Sequence, residues 1–388
     1  MNELQIGLLG IVFLFLLLAS SMPVAFAMTL VGLVGFAVVV NVPAALNVMV
    51  TDYYDVFSSY GLTVIPLFVF MGQVAFHTGV SKKLFDAAHC WFGWLRGGLA
   101  MATVGACTAF GAICGSGPAT AATMAAVALP EMRRYKYDSG FAAGTVAAGG
   151  SIGMMIPPSV VFIVYGVMTE QSIGKLFVAG IVPGLLIAAM FMATIGLLCT
   201  FRPGLAPAAT VATWRERFRS LAGVGEILAL FALVMGGMFA GWFTPTEAAA
   251  VGAAGSVGLA LLSRKCRFRM LATAMGETLR TSCMVMVIVA GATVFGHFLQ
   301  ITNVPTELAA WMAGLPLPSW GIMLAIVFFY LVAGAFLDAL ALVLLTIPIF
   351  YPVVLNLGYD PIWFGVMIVL VTQMGVISPP VGVNVYVV

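Results

Sequence analysis

Charge is the scarcest feature of this sequence. Asp, Glu, Lys and Arg make up 8% of its 388 residues, where a soluble domain carries about 25%. With 62% hydrophobic residues and a mean hydropathy of +1.13, the chain has too little polar surface to be wetted all round. Soluble fold classes are thereby excluded, and no nucleic-acid partner is expected. The composition is that of an all-α polytopic membrane protein with the lipid bilayer as its main solvent. Metal-binding residues are equally sparse. The cysteines, Cys90, Cys107, Cys114, Cys199, Cys266 and Cys283, show neither CxxC nor Cys/His metal spacing. They read as small helix residues. His77, His89 and His297 are too scattered for haem or zinc, and His77 and His297 read as polar contacts inside helices. No cofactor is expected. A basic segment ahead of the first apolar run is also missing, so "NELQIGLLGIVFLFLLLAS" reads as a first transmembrane helix and not as a cleavable leader.

Apolar runs of spanning length are what the chain has in abundance. They fall near 4–21, 23–40, 61–77, 140–168, 175–200, 225–243, 245–263, 281–300 and 361–388. Two further stretches, 97–131 and 318–356, are too long for one span and are interrupted, by "GSGP" at 115–118 and by "GAFLDA" at 334–339. The segment 82–95, "KKLFDAAHCWFGWL", has the mixture of charge and aromatics of an interfacial helix, and 42–60 is similar. Residues 202–224 read as a polar linker.

The chain repeats itself at an offset of 222. Pro23 pairs with Pro245, Pro130 with Pro352, Tyr137–Asp138 with Tyr359–Asp360, Gly153 with Gly375, and Pro157–Pro158 with Pro379–Pro380. If each interrupted stretch is a re-entrant hairpin, it starts and ends on one side of the membrane. Five spans then separate the start of one copy from the start of the next, and an odd number inverts the second copy. Charge placement tests the same topology. With residues 78–97 inside, Lys82, Lys83, Arg96, Arg133, Arg134, Lys136, Arg202, Arg215, Arg217, Arg219, Arg264, Lys265, Arg267, Arg269 and Arg280 all fall inside. Only Lys175 of the 16 basic residues falls outside. The N-terminus is then outside. The expected organisation is a first repeat at 1–168 with hairpin 97–131, a linking span and cytoplasmic linker at 169–224, and a second repeat at 225–388 with hairpin 318–356. Repeat symmetry predicts one more span at 397–422, beyond Val388, and a natural chain about 35–45 residues longer.

Interruptions of this kind expose backbone groups that lipid cannot satisfy. Four of them occur in symmetric register: "GSGPAT" (115–120), "GGSIGMMIPPS" (149–159), "GAFLDALAL" (334–342) and "TQMGVISPPVGVN" (372–384). Paired breaks in two inverted halves point to a transporter binding site. Hydroxyls, carbonyls and a carboxylate suit a hard cation such as sodium. A first sodium site is expected at Gly115, Ser116, Gly117, Gly150, Ser151 and Ile156, and a second at Asp338, Thr372, Gly375 and Ser378. Asp338 is the only acidic residue of the second hairpin, and an intramembrane carboxylate is a functional candidate by default. Helix N-termini at the tips favour an anionic substrate. The candidate substrate-binding residues are Ser116, Pro118, Thr120, Ser159, Asp338 and Asn384. No Arg or Lys lies within either hairpin break to pair with a carboxylate. In "GWFTPTEAAA", Thr244, Thr246 and Glu247 read as a helix cap.

The segments "GSGPATAATMAAVALPEM", "GGSIGMMIPPSVVFIVYG", "GWFTPTEAAAVGA", "LTIPIFYPVV" and "GVISPPVGVNVYV" resemble, in order and over essentially the whole chain, the large membrane (M, DctM-like) subunit of TRAP transporters, the tripartite ATP-independent periplasmic family. The resemblance implies a scaffold domain plus a transport domain that moves like an elevator, and sodium-driven symport. It implies two partners, a small four-helix membrane Q subunit and a periplasmic substrate-binding P protein, in a bacterial inner membrane. It implies a small carboxylate as substrate. The family's sodium sites lie at the hairpin tips and facing breaks, which here means around Ser116, Ser151, Asp338 and Ser378. Gly117–Pro118 departs mildly from the residues more usual there. Two rival classes remain to be weighed. An intramembrane hydrolase would need a base beside "CGSG", and no motif pairs His89 with Ser116. A passive channel would need a continuous pore, which opposed hairpins fit less well than alternating access.

Overall fold

The computed structural model describes residues 2–206, 212–263, 266–314 and 316–388. Arg264 and Lys265, and residues 207–211 of the expected linker, lie outside the described residues. Every regular element among the described residues is helical. The first half contains α1 (Glu3–Ala19), α2 (Val24–Val39), α3 (Val42–Ser58), α4 (Val64–His77), α5 (Val80–Phe92), α6 (Gly98–Cys114), α7 (Gly117–Arg134), α8 (Ser139–Ser151) and α9 (Val160–Met168). The long α10 (Ile173–Phe201) leads to the second half. There follow α11 (Trp214–Phe239), α12 (Pro245–Leu262), α13 (Phe268–Ile301), α14 (Val304–Ala313), α15 (Ser319–Gly334), α16 (Ala339–Asn356), α17 (Pro361–Gly375) and α18 (Val383–Val387). Six helices are long and apolar enough to cross a membrane, and five shorter apolar ones accompany them, among the described residues.

Local chemistry sets the helix starts. Asp138 and Asp360, 222 residues apart, each accept an amide hydrogen bond of 2.8 Å, from Phe141 and Trp363, and so begin α8 and α17. Thr244 and Glu247 form a reciprocal capping box ahead of α12, with Pro245 in its first turn. The same box at Thr213 and Glu216 starts α11 eleven residues before the expected span at 225. Residues 214–224 are therefore helix, and the polar linker is shorter than its composition suggests.

The helix bounds largely follow the offset: α7 at 117–134 matches α16 at 339–356, and α2 at 24–39 matches α12 at 245–262. One element departs from it. The counterparts of α3 and α4 form the single 34-residue helix α13. In the first half Ser59 is extended and a short 3-10 turn, Tyr60–Thr63, follows it. A Ser–Ser pair and Gly61 stand at this break, where the second half has Arg280, Thr281 and Cys283. Such residues interrupt a helix, whereas the second set does not.

One body of the fold is built on α2, α4, α12 and α13. Gly32 brings α2 so close to α13 that an added Cβ would sit 2.9 Å from the backbone of Val294 and Phe295. Gly291 faces the Ala25 carbonyl at 2.5 Å in the same way. Small residues that let backbones touch drive helix association where lipid offers no hydrophobic gain. Two cross-helix pairs lie here: His77 Nε2 with Glu277 Oε2 at 2.9 Å, and His297 Nδ1 with Asp52 Oδ2 at 2.8 Å. Both histidines are thus polar contacts between helices.

Candidate functional site

The two interrupted stretches form helix–break–helix units. The first joins α6 to α7 through Gly115 and Ser116, and the second joins α15 to α16 through residues 335–338. Gly115 has φ +66°, a left-handed conformation that closes α6. A Cβ on it would meet the Pro158 carbonyl oxygen at 2.2 Å. That carbonyl belongs to the facing break, where Pro157 and Pro158 separate α8 from α9 across a cis peptide. The Gly115 carbonyl accepts a hydrogen bond of 3.2 Å from the Val160 amide. The second half repeats the link. Val381, just after the cis Pro379–Pro380 pair, donates to the Ala335 carbonyl at 3.1 Å. Backbones also touch in both halves. A Cβ added to Gly111 would lie 2.6 Å from Gly153 Cα, and one added to Gly375 would lie 2.6 Å from Gly334 Cα. Each tip is therefore tied to its facing break by one backbone hydrogen bond and one glycine contact.

The candidate hydroxyls share a hydrogen-bonding pattern. Ser151 Oγ donates to the Ala148 carbonyl at 2.7 Å, Thr372 Oγ1 to Ile368 at 2.7 Å, and Ser378 Oγ to Met374 at 2.8 Å. Their protons are spent on carbonyls of α8 and α17, which leaves lone pairs to offer. Ser116 stands at the N-cap of α7, yet its side chain makes no capping bond. Asp338 caps α16, accepting from the Leu340 amide at 3.1 Å. Oxygens of this kind suit a hard cation, and only the second tip adds a carboxylate, Asp338.

The remaining candidates are placed differently. Thr120 is fully buried and donates to the Ser116 carbonyl at 2.7 Å. Ser159 is also buried, donates to the Met154 carbonyl and caps α9. The Gly150 carbonyl already accepts the Ile152 amide at the end of α8, and Ile156 is buried beside α10, near Gly184. Pro118 lies half-buried in the first turn of α7, next to Gly117, which packs on Met154. Asn384 is buried on α18. Its Nδ2 donates 3.1 Å to Ala147 of α8, and its Oδ1 has no partner. Gln373 Oε1 is a second buried oxygen without a partner. Gln373 was not among the sequence candidates, although the offset that pairs it with Ser151 marks the position.

The halves exchange their last helices. Short α18 packs on α7 and α8 of the first half, and α9 packs on α16 and α17 of the second. Tyr165 on α9 donates to the Pro361 carbonyl at 2.6 Å, and Gln171 donates to Tyr351 of α16 at 3.1 Å. Both tips, both breaks and both exchanged helices thus belong to one packed unit.

A polytopic helical protein with paired tips set against paired helix breaks is a membrane transporter in architecture. Comparisons with known proteins agree. A family model described as the tripartite ATP-independent periplasmic transporter, DctM component, matches residues 11–388. The chain belongs to this family, and so is a large permease subunit of a secondary transporter and a multi-pass membrane protein. It is 37% identical to the C4-dicarboxylate TRAP transporter large permease protein DctM of Pseudomonas aeruginosa, over 89% of this chain and 81% of that one. It is 33% identical to the sialic acid TRAP transporter large permease protein SiaM of Vibrio cholerae, over 96% and 86%. It is 36% identical to the isethionate TRAP transporter permease protein DctMQ of Oleidesulfovibrio alaskensis, over 96% of this chain and 58% of that one. The crystal structure of the Alcanivorax borkumensis YdaH transporter shares the fold at 15% identity, with a TM-score of 0.58, over 89% of this chain and 80% of that one. Family membership implies a periplasmic binding protein and a small Q subunit as partners.

Proposed function

We propose that this permease imports a small organic acid, a carboxylate delivered by a periplasmic binding protein, at the expense of a sodium gradient. The observation that carries the reading is the matched construction of the two tips. In each half one backbone bond, Val160 to Gly115 or Val381 to Ala335, joins hairpin and facing break beside oxygens with free lone pairs. Sodium bound there ties tip to break more firmly and offsets the repulsion of aligned carbonyls. The first site uses Ser116 and Ser151, and the second uses Asp338, Thr372 and Ser378. The protons of Ser151, Thr372 and Ser378 are already engaged, so a substrate carboxylate is held chiefly by the N-terminal amides of α7 and α16, with the Ser116 hydroxyl, which makes no capping bond, beside them. Relatives named for C4-dicarboxylates, sialic acid and isethionate support an organic anion.

The two halves lie inverted in a bacterial inner membrane, with the N-terminus periplasmic. Helix α16, at 18 residues, is about 27 Å long and nearly matches the hydrocarbon core. Each hairpin returns to its side of entry however deep its legs reach, so an odd number of spans still separates the two copies. The body around α2, α4, α12 and α13 is the scaffold. The unit of α6–α9 and α15–α18 moves against it like an elevator, since its exchanged helices bind both tips into one body. Coupling is then a differential stabilisation of the fully loaded unit.

The test is uptake into proteoliposomes containing the permease, its Q partner and its binding protein, driven by sodium, potassium or proton gradients of equal size. Accumulation only with inward sodium, competed by organic acids, supports the proposal. Equal accumulation with a proton gradient alone refutes it.

A further inference from the structure

An apolar groove outside the tips is walled by α5, α6 and α11. It has a volume of about 360 Å³ and is lined by Leu84, Ala88, Trp91, Ala109, Leu221 and Val224, among others. Gly105 and Ala109 leave the α6 wall without bulk. Two polar groups belong to its wall helices, Trp91 in the lining and Arg217 one turn before Leu221 on α11. Trp91 Nε1 is a buried donor without a partner, and so is Arg217 Nε. Each of the two has an aromatic contact with a side chain of α11. Trp91 meets Phe218 edge-on at 6.3 Å, and Arg217 lies 4.8 Å above Trp214. On α11, Arg217, Leu221 and Val224 follow at helical spacing, so one stripe runs from guanidinium to groove floor.

The first turns of α11 carry three arginines. Arg215, Arg217 and Arg219 form no ion pair among the described residues. The acid between them, Glu216, is engaged by the Thr213 amide and hydroxyl, both at 2.8 Å. Unpartnered guanidinium and indole N–H donors beside an apolar trough fit an occupant with an anionic, acceptor-rich head and a hydrocarbon tail. A partner's transmembrane helix would fill the trough but leave both donors unmet.

We propose that this groove binds one anionic diacyl phospholipid. Its phosphate accepts from Trp91 Nε1 and Arg217, and an acyl chain lies against Leu84, Ala88 and Leu221. Basic residues at a membrane surface attract anionic lipid, and aromatic side chains with a polar tip favour that depth. The bound lipid separates α11 from hairpin helix α6, at a seam between the two bodies of the fold. The proposal is independent of the sodium sites.

The probe pair is phosphatidylglycerol and phosphatidylcholine with identical acyl chains, added to permease purified with its co-isolating subunits. Lipid kept after exhaustive detergent exchange is counted by native mass spectrometry. The wild type is expected to keep about one phosphatidylglycerol per chain and at least fivefold less phosphatidylcholine. Trp91→Phe keeps the ring and loses the donor, and Arg217→Gln removes the charge. Each should lower retained phosphatidylglycerol at least threefold. Ala109→Leu, which fills the trough and spares both donors, should do the same, with melting in phosphatidylcholine near that of the wild type. Equal retention of the two lipids, or unchanged retention in all three variants, overturns the proposal. A photo-crosslinker attached through Leu221→Cys should give a lipid adduct in whole membranes. A protein adduct there would assign the groove to a partner helix and overturn it as well.

Discussion

Replacing Gly115 by alanine perturbs the first tip at its tightest point. The substitution has two separable effects. One is conformational, because φ is +66° and a left-handed non-glycine residue costs roughly 1–2 kcal/mol. The other is contact. The new Cβ would lie 2.2 Å from the Pro158 carbonyl oxygen, well inside any tolerated approach. Backbone must move, and overpacking of this kind costs about 1–3 kcal/mol. The movement also loosens the Val160 to Gly115 hydrogen bond of 3.2 Å, worth about 0.5–1.5 kcal/mol. Gly241 supplies the control. It has φ +76° and nothing within 4 Å of its would-be Cβ, so Gly241→Ala carries only the conformational cost. Gly115→Ala should therefore destabilise the protein by about 2–4 kcal/mol more than Gly241→Ala. Unfolding in mixed micelles of mild detergent and dodecyl sulfate, followed by tryptophan fluorescence, measures the difference. Equal unfolding midpoints for the two variants would refute the packing of hairpin tip against proline break.

Two further predictions concern the frame around the site. In a cysteine-free background, a cysteine at 303 should react with an impermeant maleimide from the periplasmic side, and one at 217 should not. The opposite pattern would reverse the membrane orientation. Asp52 is buried and accepts from His297 at 2.8 Å, so Asp52→Ala should destabilise the protein by about 1–3 kcal/mol. The same micelle titration reads this loss, and a stability within error of the wild type would remove the pair from any role in holding α3 to α13.

Much of the frame was legible because breakers and caps act locally. Gly115, Pro157–Pro158 and Pro379–Pro380 carry their backbone consequences in their own chemistry, and Asp138 and Asp360 cap whatever helix follows them. Family membership was legible from five motifs in order. Other features depend on contacts that no local pattern records. The extension of α11 back to Trp214 was hidden because a capping box sits inside a stretch that looks polar. The fusion of α3- and α4-like segments into α13 depended on the absence of a break, which symmetry argued against. At the site, Ser116, Ser151, Asp338, Thr372 and Ser378 were legible as oxygen donors. The engagement of Thr120 and Ser159 with nearby backbone carbonyls was not, because a hydroxyl reads the same whether its partner is a ligand or its own backbone. The exchange of α9 and α18 between halves is a long-range packing choice. It explains why Asn384 reaches Ala147 instead of a tip in its own half.

Binding of the coupling ion at both tips is the proposal on which the transport reading rests. Its most direct test is the sodium dependence of uptake in proteoliposomes bearing Ser116→Ala or Asp338→Ala, with protein folding checked by melting. Loss of one oxygen ligand to a charged ion is worth about 1.5–3 kcal/mol, so each variant should need about tenfold more sodium, or more, for half-maximal uptake. Uptake by both variants with the sodium dependence of the wild type would contradict the account.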